Sequence, residues 1–238
     1  MKTVAIIPAR LNSTRFPEKV LVNIHGKTML RWVYDSLKLS KEVNDIYIAT
    51  DDHRIIDEVL DFGGKVLFVP NAENGTERCI KGYQQLNEEF DILINVQADQ
   101  PTLRYNVIDN LIKFMKGNGS YYDIATIITD IKSNDLGNKN VVKTIVNHQD
   151  TIFFSRENLS LYDYNKVFKH IGVYGFKTKV LNQLLNLSES VNEKSEKLEQ
   201  LRWVDAGFEI GTIKTSIDII SIDVPEDLDK IDVWLCGN

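Results

Sequence analysis

"TVAIIPARLNSTRFPEKVL", residues 3–21, passes in one step from an uninterrupted apolar run into a loop carrying Arg10, Arg15 and Lys19. Aliphatic residues without polar alternation, stopped at Pro8, predict a strand buried on both faces, and so a parallel sheet covered by helices on each side. In such sheets ligands sit beyond the carboxyl ends of the strands. The three cations therefore stand where a ligand would.

Similar runs recur along the chain at "DIYIAT" (45–50), "KVLFV" (65–69), "DILINVQ" (91–97), "IATIIT" (124–129) and "VVKTIV" (141–146). Helical patterns separate the early ones: "MLRWVYDSLKLS" (29–40) puts Leu30, Val33 and Leu37 on one face, and "DHRIIDEVLDFGG" (52–64) ends on two glycines that stop a helix. The fold class is α/β, a Rossmann-like and largely parallel sheet. Later come "KHIGVYGF" (169–176), helices predicted near 178–187 and 194–206, a strand over 213–223, and a closing helix from 224 to 235 with Pro225 in its first turn. No linker or repeat interrupts the chain, so residues 1–238 are expected to form one domain, elaborated roughly from 150 to 213.

A net charge of −6 excludes a broad nucleic-acid footprint, which needs a basic face, and makes the basic loop a local device. Cys79 and Cys236 form no CxxC metal site and no disulfide framework, which suits a reducing cytoplasm. No stretch approaches a membrane-spanning apolar length.

The "GKT" at 26–28 is not a Walker A loop, because the required glycine is Leu21, and no GxGxxG occurs. The first loop is the better phosphate candidate: Arg10 forks onto phosphate oxygens, Ser13 and Thr14 add hydroxyls, and Lys19 supplies a point charge. "INVQADQP" (94–101) runs from a buried strand straight into Asp99, and "SIDVPEDL" (221–228) repeats the arrangement with Asp223. Either carboxylate serves as a helix N-cap or as a ligand for Mg²⁺, which takes one or two carboxylates plus phosphate oxygens. "NGTER" (74–78) reads as a turn and helix start. The four histidines lack ligand spacing, and only His170 stands at a strand start. Glu199 and Gln200, in "EKLEQLRW" (196–203), read from spacing alone as solvated or cap-like helix positions.

Taken together, these segments resemble the bacterial 3-deoxy-manno-octulosonate (Kdo) cytidylyltransferases from end to end. The family's PAR...STR.P.K.L loop is present, followed in order by "ATD" (49–51), "GTER" (75–78), "NVQ" with Asp99 and Pro101, "NVVK" (140–143), "FFSR" (153–156), "HIGVYGF" (170–176), "EKLEQLR" (196–202) and "IDVPEDL" (222–228). The resemblance implies transfer of CMP from CTP to the anomeric hydroxyl of an acidic sugar, with release of pyrophosphate and no covalent enzyme intermediate. It implies that Arg10, Arg15 and Lys19 hold the triphosphate, that Gly75, Thr76 and Arg78 border the nucleotide, and that Gln97 contacts the base or ribose. It further implies Mg²⁺ on Asp99 and Asp223, a sugar pocket built from Arg156, His170, Tyr174, Glu199 and Gln200, and a cytoplasmic homodimer. Departures fall at the sugar end: the family's GDEP is Ala98, Asp99, Gln100, Pro101 here, "ENLSLYDYNK" follows Arg156, and Val224 replaces a threonine. Gln100 is shared with a branch acting on 8-amino-Kdo, which makes it a substrate candidate. A CMP transferase for a sialic-like nonulosonate and a catalytically silent nucleotide-binding module are the alternatives.

Overall fold

Residues 1–13 and 15–236 are described by a computed structural model of the chain. They divide into two compact units, Met1–Asp109 with Ile219–Asn238, and Asn110–Asp218. Thr14, expected to contribute a hydroxyl, lies outside the described residues.

In the first unit the opening run forms β1 (Thr3–Pro8), whose first five residues are buried. The chain then makes a short hairpin, β2 (Asn23–Ile24) and β3 (Lys27–Thr28), and helix α1 (Met29–Leu37), which begins where the Thr28 side chain accepts from the Arg31 amide. Next come β4 (Asp45–Thr50), α2 (His53–Asp61) capped by Asp52, β5 (Lys65–Phe68), α3 (Gly75–Tyr83) and β6 (Ile92–Asn95). The strands lie in the order β5-β4-β1-β6, every pair parallel, as the apolar runs predict. Strand order reverses between β1 and β6. That switch point is where a parallel sheet opens a crevice.

The boundary between units falls inside α4 (Tyr105–Lys116). The second unit holds β7 (Ile124–Asp130), β8 (Lys143–Asn147), β9 (Asp150–Ser155), β10 (Val167–Lys177), α5 (Leu181–Leu185), α6 (Val191–Glu196), α7 (Gln200–Asp205) and β11 (Ile210–Thr215). Among the described residues of this unit β7 and β11 pair in parallel; β8 pairs antiparallel with β9 and β10, β10 with β7, and β11 with β9, which closes the five strands into a ring. The helix predicted over 194–206 is two: Lys197 adopts a left-handed conformation (φ 56°), and the chain restarts at Gln200. The Arg202 guanidinium fixes the break by reaching back to both carboxylate oxygens of Glu193, each at 2.7 Å.

The strand predicted over 213–223 ends at Thr215. Ile220 N–H instead donates to Thr102 Oγ1 at 2.8 Å and Ile222 N–H to the Asp99 carbonyl at 2.9 Å, both within the first unit. A cluster of Ile24, Met29, Ile222 and Ile231, with Phe16, Val22 and Ile220 against it, holds this returning segment and helix α8 (Leu228–Cys236) beside the hairpin. Burial of such side chains stabilises the segment by roughly 1.5–3 kcal/mol each. The buried Cys79 thiol donates to the Ile6 carbonyl at 3.5 Å; the Cys236 side chain lies outside what is described.

Candidate active site

Beyond the carboxyl ends of β1 and β6 lies a cavity of about 410 Å³. Its first wall is the loop after β1. Leu11 is buried, and its carbonyl accepts from the amides of both Ser13 and Glu18, so the loop closes on itself rather than trailing into solvent. Glu18 takes the left-handed region (φ 58°) and starts a single 3-10 turn, Lys19–Leu21, that aims Lys19 inward. Buried Val20 lines the cavity beside it, and Phe16 anchors the turn on the cluster of Ile24 and Met29.

The opposite wall follows β6. Asn95 is fully buried; its amide donates to Thr76 Oγ1 at 3.0 Å, while its oxygen accepts from Gln97 Nε2 at 3.2 Å. Gln97 is thereby presented to the cavity by buried Asn95, which Thr76 holds in turn. Asn74 caps α3 by accepting from the Glu77 amide at 2.8 Å, so the positive end of the helix dipole faces the same space. Gly75 fits closely there, since a Cβ on it would lie 3.3 Å from Pro8 Cγ and 3.8 Å from the Gln97 amide. Arg78 is buried and held by the Val69 carbonyl (2.7 Å) and Asp51 (2.8 Å).

Lys19 Nζ joins the walls. It donates to Asp99 Oδ2 at 2.7 Å and to the Ile222 carbonyl at 3.0 Å, with Asp223 Oδ1 at 3.5 Å. Arg15 Nη2 reaches the same Asp223 oxygen at 2.9 Å. The two carboxylates converge because the Asp99 carbonyl accepts from Ile222 N–H, while the Asp223 and Val224 amides are fixed on Asp227 Oδ2 at 2.9 and 3.1 Å. Arg10, Arg15, Lys19 and Arg78 against Asp99 and Asp223 leave the cavity lining with a charge of +2. That balance suits a polyanion.

The same residues fit Mg²⁺. Two hard carboxylates face one cationic position, and among the described residues no group of three or more His, Cys, Asp and Glu side chains forms a metal cage. Two carboxylates completed by phosphate oxygens is the donor set this ion favours.

Of the residues expected at the nucleotide, Arg10, Arg15, Lys19, Gly75, Arg78, Gln97, Asp99 and Asp223 line this cavity. Thr76 stands behind it, supporting Asn95. Gln100 does not line it: it is 4% exposed, with Nε2 on Ser221 Oγ at 3.3 Å and Oε1 buried without a hydrogen bond. Sequence reasoning missed Asn74 and Asn95. Asn74 was legible as the start of N-x-x-E, an N-cap followed by an acid three residues on; Asn95, inside a buried run, gave no signal beyond being polar there.

The residues expected at the sugar belong to the second unit. A bulge in β10 between Ile171 and Tyr174 wraps the Thr126 hydroxyl, which donates to the Val173 carbonyl at 2.7 Å and meets His170 Nε2 at 2.9 Å. His170 and Tyr174 lie 5.3 Å apart by ring centroids, and Tyr174 packs edge-on to Trp203 at 4.9 Å. Burial pushes the His170 pKa down to about 3 and, with the charge of Glu199 adding to it, pushes that of Tyr174 well up. The Tyr174 hydroxyl is buried without a hydrogen bond. Gln200 is buried at the start of α7, directly after Glu199, and Arg156 follows β9.

The sequence matches the family described as cytidylyltransferase over residues 4–215. It is 41% identical over 241 residues to a 3-deoxy-manno-octulosonate cytidylyltransferase of Cytophaga hutchinsonii, covering 96% of this chain and 95% of that one. It is 37% identical to an 8-amino-3,8-dideoxy-manno-octulosonate cytidylyltransferase of Shewanella pealeana, with 96% of each covered. The structure superposes with a TM-score of 0.91 and 33% identity on a CMP:2-keto-3-deoxy-manno-octonic acid synthetase complexed with CTP, covering 100% of this chain and 99% of that one. A 4-diphosphocytidyl-2C-methyl-D-erythritol synthase of Anaerococcus prevotii shares the fold, at a TM-score of 0.68 and 16% identity.

Proposed function

Since the chain belongs to the 3-deoxy-manno-octulosonate cytidylyltransferase family, we propose that it transfers CMP from CTP to the anomeric hydroxyl of a 3-deoxy-octulosonic acid, releasing pyrophosphate. The observation that carries this reading is the meeting of Lys19 with Asp99 and Asp223 in a cavity of net positive lining. Arg10 and Lys19, with Arg15, take the triphosphate, and the N-terminus of α3 adds its dipole. Gly75 and Gln97 fit the nucleoside, while buried Thr76 and Arg78 hold their segments in place.

Asp99 and Asp223 would hold Mg²⁺, which when bound supplies charge neutralisation at the α-phosphate and lowers the pKa of a coordinated hydroxyl. Attack at the α-phosphorus concentrates charge on the non-bridging oxygens and on departing pyrophosphate, so the protein's contribution is positioning and fixed positive charge. Lys19 and Arg10 are the groups placed for that. Arg156 suits the sugar carboxylate as a bidentate partner, with His170, Tyr174, Glu199 and Gln200 as the remaining sugar contacts. A neutral His170 and a protonated Tyr174, both fixed by burial, offer hydrogen bonds to hydroxyls without adding charge.

The substrate is Kdo or its 8-amino analogue, the latter because Gln100 is an amide where a carboxylate is commoner in the family. We further propose that residues 1–238 act as one catalytic domain, since the family match runs through both units, and that the enzyme is a cytoplasmic homodimer. No described helix is long and apolar enough to cross a membrane. Pyrophosphate release measured with CTP, Mg²⁺ and a panel of acidic sugars tests the activity, and CTP binding without turnover on any of them would refute it.

A further inference from the structure

Lys143 has 0% exposure, an unusual condition for a lysine. Its ammonium donates to the Arg156 carbonyl at 2.6 Å and to the Asn138 carbonyl at 2.9 Å. On the other side of the same residue, the Arg156 amide donates to Glu196 Oε2 at 2.8 Å, while Ser155 Oγ donates to Glu196 Oε1 at 2.7 Å. The N–H and C=O of one residue are thus each held by a charged side chain from a different element, Glu196 from α6 and Lys143 from β8. The guanidinium then reaches the Lys139 carbonyl at 3.2 Å, beside the Asn138 that Lys143 already holds.

The backbone groups at a strand end need hydrogen-bond partners, but neutral ones suffice. Burying an ammonium is costly, and burial does lower the Lys143 pKa, against the pull of Glu157 and Glu196. What the two charges achieve is to fix the backbone from which Arg156 projects. We propose that Lys143 and Glu196 are positioning residues for sugar-acid recognition, a charged clamp that sets the direction of the Arg156 guanidinium. This rests on the reading that Arg156 meets the sugar carboxylate, and it gives the "NVVK" segment a role that neither the nucleotide cavity nor the metal carboxylates explain.

A double-mutant cycle tests it, read as KM for the sugar and, separately, KM for CTP. Lys143→Met and Glu196→Ala should each raise the sugar KM on the order of 10- to 100-fold, the cost of small misplacement of a binding group, with CTP KM moving less than about twofold. Glu196→Gln, which keeps an acceptor for the Arg156 amide, should recover most of the loss. In an Arg156→Ala background the same substitutions should add nothing further, because they act through Arg156. Equal losses for CTP and sugar, or losses that add in that background, would overturn the clamp. Should Lys143→Met fail to fold, the Glu196 pair completes the cycle alone. If Arg156→Ala leaves the sugar KM unchanged, the failure belongs to the Arg156 assignment, and the clamp falls with it.

Discussion

His170 makes the stability of this protein depend on pH, and His170→Gln isolates that dependence. The Thr126 hydroxyl gives its proton to the Val173 carbonyl, so its oxygen accepts from His170 Nε2–H and the ring is the neutral tautomer with its lone pair on Nδ1. A second proton would enter a site packed against Phe154 and Tyr174, which is why burial lowers the pKa from 6.5 to about 3. Below pH 6.5 the unfolded chain binds this proton and the folded one does not, so the contribution is fully present above that pH and is lost progressively toward pH 3. The loss runs at about 1.4 kcal/mol per pH unit, or about 2 kcal/mol at pH 5. For a chain of this length that corresponds to about 4–8 °C in Tm. Glutamine keeps a donor toward Thr126 but does not titrate. Calorimetric melts of both proteins between about pH 7.5 and pH 5 should therefore show the Tm gap between them narrowing by roughly that amount. Parallel curves would refute the assignment of a buried, neutral His170.

Asp99→Asn and Asp223→Asn should each abolish pyrophosphate release while leaving circular dichroism unchanged; full activity in either removes the metal assignment. Gly75→Ala puts a methyl group 3.3 Å from Pro8 Cγ, and CTP KM should rise several-fold with the sugar KM unaffected. Gln100→Glu exchanges a buried amide for a carboxyl group, which Ser221 can meet by donating, and should shift the ratio of turnover on Kdo and 8-amino-Kdo. An unchanged ratio takes Gln100 out of sugar selection. Arg202→Met leaves the buried Glu193 carboxylate without its cation and should cost about 3–5 kcal/mol in urea melts, whereas a double variant with Glu193→Met should recover much of it.

The parallel half of the fold is readable because its strands are buried on both faces and say so residue by residue. The strand-end rule then points to Arg10, Lys19 and Asp99 from the order of residues alone. Meeting points are not readable in the same way. Nothing local in "SIDVPEDL" brings Asp223 to Asp99; that is done by the Ile222 amide and by a shared cluster with the first loop. The same cluster explains the missed strand end, since Ile220 and Ile222 alternate like strand residues but pack on the hairpin side. Lys197 belongs to a helical pattern in sequence, yet a tertiary contact, the fork of Arg202 on Glu193, breaks the helix there. The β10 bulge has a faint signal in Gly172, a residue that weakens strand pairing. Spacing alone leaves Glu199 and His170 as ordinary structural residues, and their expected place at the sugar rests on the resemblance.

The hydrogen bond from Ile220 to Thr102 spans 118 residues of chain, and the whole second unit is threaded between its ends. On the ribosome, the loop after β1, the α3 N-terminus and Asp99 are all translated before the inserted unit, while Asp223 emerges only after it. On the proposed assignment of Asp99 and Asp223, a nascent chain holds most of a nucleotide grip yet lacks one of its two carboxylates, and stays chemically silent until the last segment is made. On that assignment order of synthesis becomes a checkpoint, with competence for nucleotidyl transfer deferred to a chain that has already made its second unit.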